Sequence, residues 1–264
     1  ELGETLNTVL FCPEDLFLIR AGAVERRRFL DDTIAQLRPR YAEALERYQK
    51  IWKSKSFILN HQEERPDLLA TLDDFSHQLC QAGAVITHYR AHFIKRLAGT
   101  APAIHREFSG GREELSLAYE PDSAISDPLA PTKVLFEQLM EHQEYRREAE
   151  LAARKCLIGP HRDELRVDID GRSARQYASQ GQTRTAALSL KLAQRDIIFD
   201  DREEYPVLLL DDVLSELDPR RQEFVLNHIQ GGQVFITCCE EERLAALREG
   251  RVFRVKNGTI EEER

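Results

Sequence analysis

Two adjacent carboxylates, Asp211 and Asp212, follow directly on the unbroken apolar run Val207-Leu208-Leu209-Leu210. Such a run reads as a parallel strand buried on both faces, and open α/β sheets bind ligands at the carboxyl edge, where these acids fall. A carboxylate at that edge can hold Mg²⁺ directly or through water, and the cation brings nucleotide phosphates with it. The neighbouring acid can orient or activate an attacking water. Taken alone, the pair could equally end a strand in solvent. Some thirty residues upstream, however, stands Ser179-Gln180-Gly181-Gln182. It precedes a predicted helix from about Thr183 to Phe199 that is apolar over much of its circumference, at Ala187, Leu188, Leu190, Leu192 and Ile197. A small hydroxyl-bearing loop with glycine at a helix start is an anion site, because free backbone N–H groups and the positive helix end face the ligand. An ordinary helix cap would look similar, but the acidic strand end and the following Ser215-Glu216-Leu217-Asp218 make that reading hard to hold.

The elements that must position these residues fall into three zones. Residues 1–30 hold a short strand, Thr8-Val9-Leu10-Phe11, broken at Cys12-Pro13, and then a helix beginning near Arg26-Arg27-Arg28. Residues 31–156 are helical. Leu30, Ile34, Leu37, Tyr41, Leu45, Tyr48 and Trp52 form one apolar stripe, and Leu68, Leu72, Phe75, Leu79, Ile86, Phe93 and Leu97 form a second. A polar break from Asn60 to Pro66 separates them, which predicts antiparallel packing as a short helical arm. Residues 99–131 read as irregular apart from a strand near Leu115, Leu117 and Tyr119, and a helix from Lys133 to about Lys155 leads out. Residues 157–264 contain the acidic strand, a helix capped by Asp218 with Pro219 at its first position, the stop Gly231-Gly232 and a strand Gln233–Thr237. Strand, helix and strand at this spacing make a βαβ unit, hence a parallel sheet. Asn257-Gly258 marks a closing hairpin.

Composition narrows the class. Lys and Arg number 37 against 46 Asp and Glu, so the chain is not coated in nucleic-acid-binding charge, although a local basic face is compatible with this. No apolar run reaches the length of a membrane span, and the start lacks a signal pattern. Five scattered cysteines fit neither a metal spacing nor a disulfide framework and read as reduced thiols of a cytosolic protein. The first residue is Glu1 and the sole methionine is Met140, so a fragment or processed product is expected.

At this point a resemblance enters. Ser179-Gln180-Gly181-Gln182 resembles the signature loop of ABC-type ATPases, Leu208 to Asp212 their Walker B strand, and Ser215 to Asp218 their D-loop. More narrowly, the chain resembles the RecF family over nearly its whole length. The matching motifs are Phe11-Cys12-Pro13-Glu14-Asp15, Glu25-Arg26-Arg27-Arg28-Phe29-Leu30-Asp31, Gly159-Pro160-His161-Arg162-Asp163 and Leu210 through Asp218. The resemblance implies an α/β fold: an ABC-type ATPase head, P-loop NTPase-like with a partly parallel sheet and an inserted helical arm subdomain. It implies an ATP-dependent, DNA-binding homodimer of recombinational gap repair. Such a dimer assists RecO and RecR in loading RecA at single-stranded/double-stranded gap junctions, in the cytoplasm at the nucleoid, with ATP and Mg²⁺ as cofactors and no membrane.

By the same resemblance two heads sandwich ATP, and Ser179, Gln180, Gly181 and Gln182 of one head meet the γ-phosphate held by the other. Asp211 would serve the metal, Asp212 would stand for the catalytic glutamate of related ATPases, Asp218 would lie at the dimer seam, and Glu14 could occupy the Q-loop position. Two departures stand out. No G-x-x-x-x-G-K-[ST] occurs, so a chain of this extent is expected to lack the phosphate-cradling loop in cis and to be inactive alone, with weak turnover only in a full-length dimer. After Thr237 come Cys238 and Cys239, where ABC transporters carry a histidine.

DNA contacts are expected among Arg26, Arg27, Arg28, Arg184 and Lys191, against the alternative that each is solvated or paired. His161 and Arg162 open a predicted strand after the arm and read first as structural or hinge residues. Two rival functions remain. An ABC transporter nucleotide-binding domain would not need an inserted zone of about 125 residues, and a non-enzymatic DNA-binding scaffold head would need no phosphate loop.

Overall fold

The computed structural model describes residues 6–239 and 250–263. Three short strands, β1 (Thr8–Phe11), β5 (Val207–Asp211) and β6 (Val234–Thr237), form a parallel sheet in the order β1-β5-β6. The register sets Phe11 beside Leu210 and Asp211 beside Thr237, so all three strands end at one edge. The expected βαβ unit is present, with helix α7 (Pro219–His228) crossing from β5 to β6.

One expectation about this sheet fails. The apolar run is expected to be buried on both faces, but it alternates. Leu208 and Leu210 are buried with Val9 and Phe11, whereas Leu10 and Phe235 on the opposite face are about half exposed. The inner face is covered by α6 (Gln180–Arg202), whose Leu188, Leu190, Leu192 and Ile197 are fully buried, and among the described residues no helix covers the other face to the same degree. A helix apolar on nearly every side must be surrounded, and α6 lies between the sheet and a second long helix.

That second helix is α3 (Leu72–Ser109), paired with α2 (Pro39–Asn60) as an antiparallel hairpin. Leu59 clusters with Leu72, Arg47 reaches Gln78, and Tyr41 reaches Arg90, a descending register that only antiparallel helices give. Two helix boundaries differ from the sequence reading. The first stripe is two helices, α1 (Ala23–Leu37) and α2, because Pro39 pushes Arg38 out of the helical region to φ −137°. The second helix does not stop near residue 99 but runs through Pro102 to Ser109. Buried Ala101, Ile104 and Phe108 hold those last turns against the core, and Gly110, at φ 65°, ends them. Helix α4 (Thr132–Ala153) follows close to its expected span, and its Glu150 is buried in an ion pair with Lys55 of α2, 2.6 Å apart.

A second, antiparallel sheet contains β2 (Leu115–Glu120), β3 (Glu164–Ile169) and the short β4 (Arg172–Ser173), followed by the single-turn α5 (Ala174–Tyr177). His161 and Arg162 do not open a strand, since Pro160–Arg162 is a tight turn ahead of β3. The turn begins at Gly159, φ 122°, where an added Cβ would collide with the Tyr48 hydroxyl, so glycine is required there. Asn257 and Gly258, both at positive φ, join β7 (Val252–Lys256) to β8 (Thr259–Glu263) as the sequence predicts.

The largest core cluster takes residues from all three sequence zones, from Val9 through Ile86 and Leu97 to Leu188 and Leu210. Its polar knot is Arg90 of α3. The guanidinium donates to Asp31 of α1 at 2.9 and 3.0 Å, to the Pro160 carbonyl at 2.7 Å and to Asp163 at 3.0 Å. Burial raises the Asp163 carboxyl above the usual range even with Arg90 beside it.

Candidate functional site

The acidic pair stands at the carboxyl edge of the parallel sheet, next to the ends of β1 and β6. Asp211 is exposed, and its Oδ1 accepts from the Thr237 hydroxyl at 2.7 Å. Among the described residues its other oxygen carries no hydrogen bond. Asp212 leaves the strand at φ 50°, a left-handed conformation that few non-glycine residues adopt and that clusters at functional turns. Thr237 fixes this turn from the neighbouring strand, taking the Asp212 N–H on its carbonyl at 3.2 Å and on its hydroxyl at 3.0 Å. The Ser215 hydroxyl donates to the Asp212 carbonyl at 2.6 Å. Asp212 Oδ1 is buried with no donor, the state of a carboxylate that waits for one.

Oxygen donors of this kind suit a hard cation. Among the described residues no three His, Cys, Asp or Glu side chains gather into a metal cage, so a cation held here would draw its remaining oxygens from water or a bound ligand. Glu14 is exposed in the turn that follows β1, near the Cys12 thiol at the same sheet edge. Burial, with Asp15 beside it, pushes that thiol up to about 11, which disfavours a free thiolate nucleophile at Cys12 at neutral pH.

The loop Ser179-Gln180-Gly181-Gln182 is the start of α6, a turn earlier than the sequence suggested. Ser179 is its N-cap, with the Gln182 N–H on Ser179 Oγ at 3.2 Å and the Ser179 N–H on Gln182 Oε1 at 2.8 Å. This capping box satisfies two helix-end donors. Ser179 Oγ acts in it as acceptor and keeps its own proton to donate to an outside anion.

Arg221 joins this loop to Asp218. Its Nη2 donates to the Gly181 carbonyl at 3.1 Å, its Nε to Thr185 at 3.1 Å, and its Nη1 to the Asp218 carboxylate. Asp218 also caps α7 through the Arg221 N–H at 3.1 Å. One guanidinium thus holds the loop and the Asp218 turn as a single surface. The sequence reading missed it, although a cation in the first turn of a helix opposes the helix dipole and is itself a signal of another use. Thr237 was passed over too, because only the strand register places its hydroxyl between the two acids.

The expected DNA contacts differ in what already holds them. Arg26 is 3% exposed, bound bidentately to Glu164 and to the carbonyls of Leu18, Ile19 and Ala21. Lys191 is buried, paired with Asp15 at 2.8 Å and bonded to the Leu10 carbonyl. Both hold the fold, and each would have to leave these partners to reach a phosphate. Arg27 is tied to the Asp163 carbonyl, and Arg184 to Glu216 beside Asp218. Arg28 is exposed, and among the described residues its one ion pair is a long 3.7 Å contact to Asp32.

No protein-family model matches the chain. The DNA replication and repair protein RecF of Shouchella clausii (strain KSM-K16) is 41% identical over 260 residues, which cover 97% of this chain and 70% of that protein. Two solved structures are similar. The recombination mediator protein RecF-ATPrS in the RecFOR pathway has a TM-score of 0.89 at 31% identity, over 99% of this chain and 70% of its own. RecF-ATP in the same pathway has a TM-score of 0.86 at 30% identity, over 100% of this chain and 69% of its own.

Proposed function

We propose, for a chain that belongs to the RecF family of DNA replication and repair proteins, an ATP-gated DNA clamp built from two facing heads. The chain spans about 70% of the length of its relatives, and the activity of the whole protein is read through that portion. The observation that carries the proposal is the acidic pair, with Asp211 exposed at the sheet edge and Asp212 turned to leave a carboxylate oxygen without a donor.

Asp211 would hold Mg²⁺ together with nucleotide phosphates, and the cation would supply charge stabilisation at the transferred phosphoryl group. Asp212 accepts the proton of the attacking water and fixes its direction. Ser179 donates its hydroxyl proton, and the first N–H groups of α6 add theirs, to the γ-phosphate held by the partner head. Asp218 lies at the seam, steadied by Arg221. The Arg221 tie supports this assignment, because a loop and a turn that meet one partner must move as one body. Turnover is slow and resets the dimer. DNA at single-stranded/double-stranded gap junctions is the substrate surface, with RecO and RecR as partners in loading RecA, in the cytoplasm. Among the described residues no helix is long and apolar enough to cross a membrane.

Fluorescence anisotropy with gapped and blunt duplexes, titrated over rising salt with and without ATP, tests the DNA half of the proposal. Binding to the gapped duplex is expected at low salt, falling steeply as salt rises. No affinity for either duplex at low salt would sink it.

A further inference from the structure

The Gly159–Asp163 turn carries a side chain that the ATP chemistry leaves unused. Asp163 is buried under Arg90, and His161 is held between the Tyr48 hydroxyl and the Cys156 carbonyl. Arg162 is exposed and, among the described residues, its guanidinium has no hydrogen bond or ion pair. It lines a cavity of about 230 Å³ together with Ser123, His142 and Arg146. Arg146 sits on α4 with its Nε buried and without a partner, and no ion pair joins it among the described residues. The arginine beside it in sequence, Arg147, does find acids, pairing with Asp73 and Glu148.

Acids outnumber bases in this chain, so two arginines turned to one cavity without a carboxylate partner need a reason. One acid, Asp122, lines the same cavity and is already engaged. Its Oδ1 takes the Ala124 N–H and the His142 ring nitrogen, each at 3.1 Å, and its Oδ2 takes the Gly159 N–H at 3.0 Å. It therefore orients His142 and the turn, and forms no hydrogen bond to either arginine. What remains is a set of donors, two guanidinium groups and a serine hydroxyl, beside an imidazole that Asp122 holds in place. Planar guanidinium forks match the oxygen pairs of phosphate, and a buried N–H left unpaired costs free energy until an acceptor arrives. The volume is several times the ~30 Å³ share of one water, enough for a phosphate with part of an attached sugar.

We infer that this cavity seats one phosphate ester of a nucleic-acid strand, clamped by Arg146 and Arg162. The inference rests on the DNA-binding reading above and places one contact of that DNA at the base of the helical arm. The opened arginines are these two rather than Arg26 and Lys191, which the fold consumes.

The test compares the chain, extended upstream to the length of its RecF relatives, with its Arg146→Gln, Arg162→Gln and doubly substituted forms, by anisotropy on gapped duplex with ATP present across a salt series. Each single exchange is expected to weaken binding at every sequence and to lower the slope of log affinity against log salt by about 1, the double by about 2. Melting midpoints should stay close to the parent value, since neither side chain holds the fold, and this keeps misfolding apart from lost contact. In parallel, inorganic phosphate is added to the parent and the double variant while thermal stability is followed. If the parent binds DNA and the double variant keeps the parent slope, the inference is overturned and the DNA reading stands. If phosphate stabilises the parent alone while the DNA slope is unchanged, the cavity takes free anions and the strand assignment is overturned. If the parent binds no DNA at all, the DNA reading fails and the inference with it.

Discussion

Exchanging Asp212 for asparagine is expected to lower ATP turnover by about a hundredfold or more while nucleotide binding persists. The assay uses a chain extended upstream to the length of its RecF relatives, with DNA present. Asparagine keeps the size of the side chain, and the Thr237 and Ser215 bonds to the Asp212 backbone do not depend on the carboxylate, so the turn itself should survive. What is lost is the buried, donor-free oxygen that would take a proton from water. An amide presenting its NH₂ group there cannot accept one. Equal turnover in the two proteins would remove Asp212 from the chemistry and leave it a strained turn residue.

Exchanging Arg90 for glutamine is expected to cost about 3–5 kcal/mol of folding stability at neutral pH, because it strips the counter-charge from buried acids. Arg90 alone joins Asp31, Asp163 and the Pro160 carbonyl, and so ties α1 and α3 to the turn before β3. Tyr41 and Tyr119 would still donate to Asp31 and Asp163, but they carry no positive charge. The deficit should depend on pH in a definite direction. Burial already raises the Asp163 carboxyl, and losing Arg90 raises it further. A group whose folded-state value lies above its unfolded one binds protons preferentially when folded, and its contribution is lost as pH rises through the folded value. The variant should therefore lag the parent least under mildly acid conditions and most near neutrality. Urea unfolding at both pH values measures this, and an equal deficit at both would show that Asp163 stays ionised without its arginine.

Much of the site was legible because its signals are local. An apolar run ending in two acids, a serine before a helix, Asp218 ahead of Pro219 and Asn257-Gly258 each act within a few residues, and each element forms, with the helix at Ser179 starting a turn early. Long-range pairing was not legible. Arg26 looks like a surface charge until Glu164, far along the chain, meets it, and Lys191 looks free until Asp15 does. The helix that runs on through Pro102 shows the same thing for backbone: packing of Ile104 and Phe108 outweighs a local breaker. The break at Arg38, by contrast, was readable from Pro39, and the regular stripe of apolar residues concealed it. Arg221 and Thr237 escaped because their roles follow from register and from the meeting of two helix starts, neither of which a single stretch of sequence contains.

The account stands or falls on whether the Ser179 loop and the Asp211–Asp212 pair serve different ATP sites of one dimer. Mixing two inactive full-length variants in equal amounts decides it. One is Ser179→Arg, which blocks the loop, and the other is Asp212→Asn, which blocks the acid. If the loop acts on the partner's nucleotide, half the dimers are mixed and each rebuilds one intact site, restoring about a quarter of parental turnover from two dead proteins. Turnover that stays at the level of the separate variants would place the loop and the acids in the same site and contradict the paired mechanism.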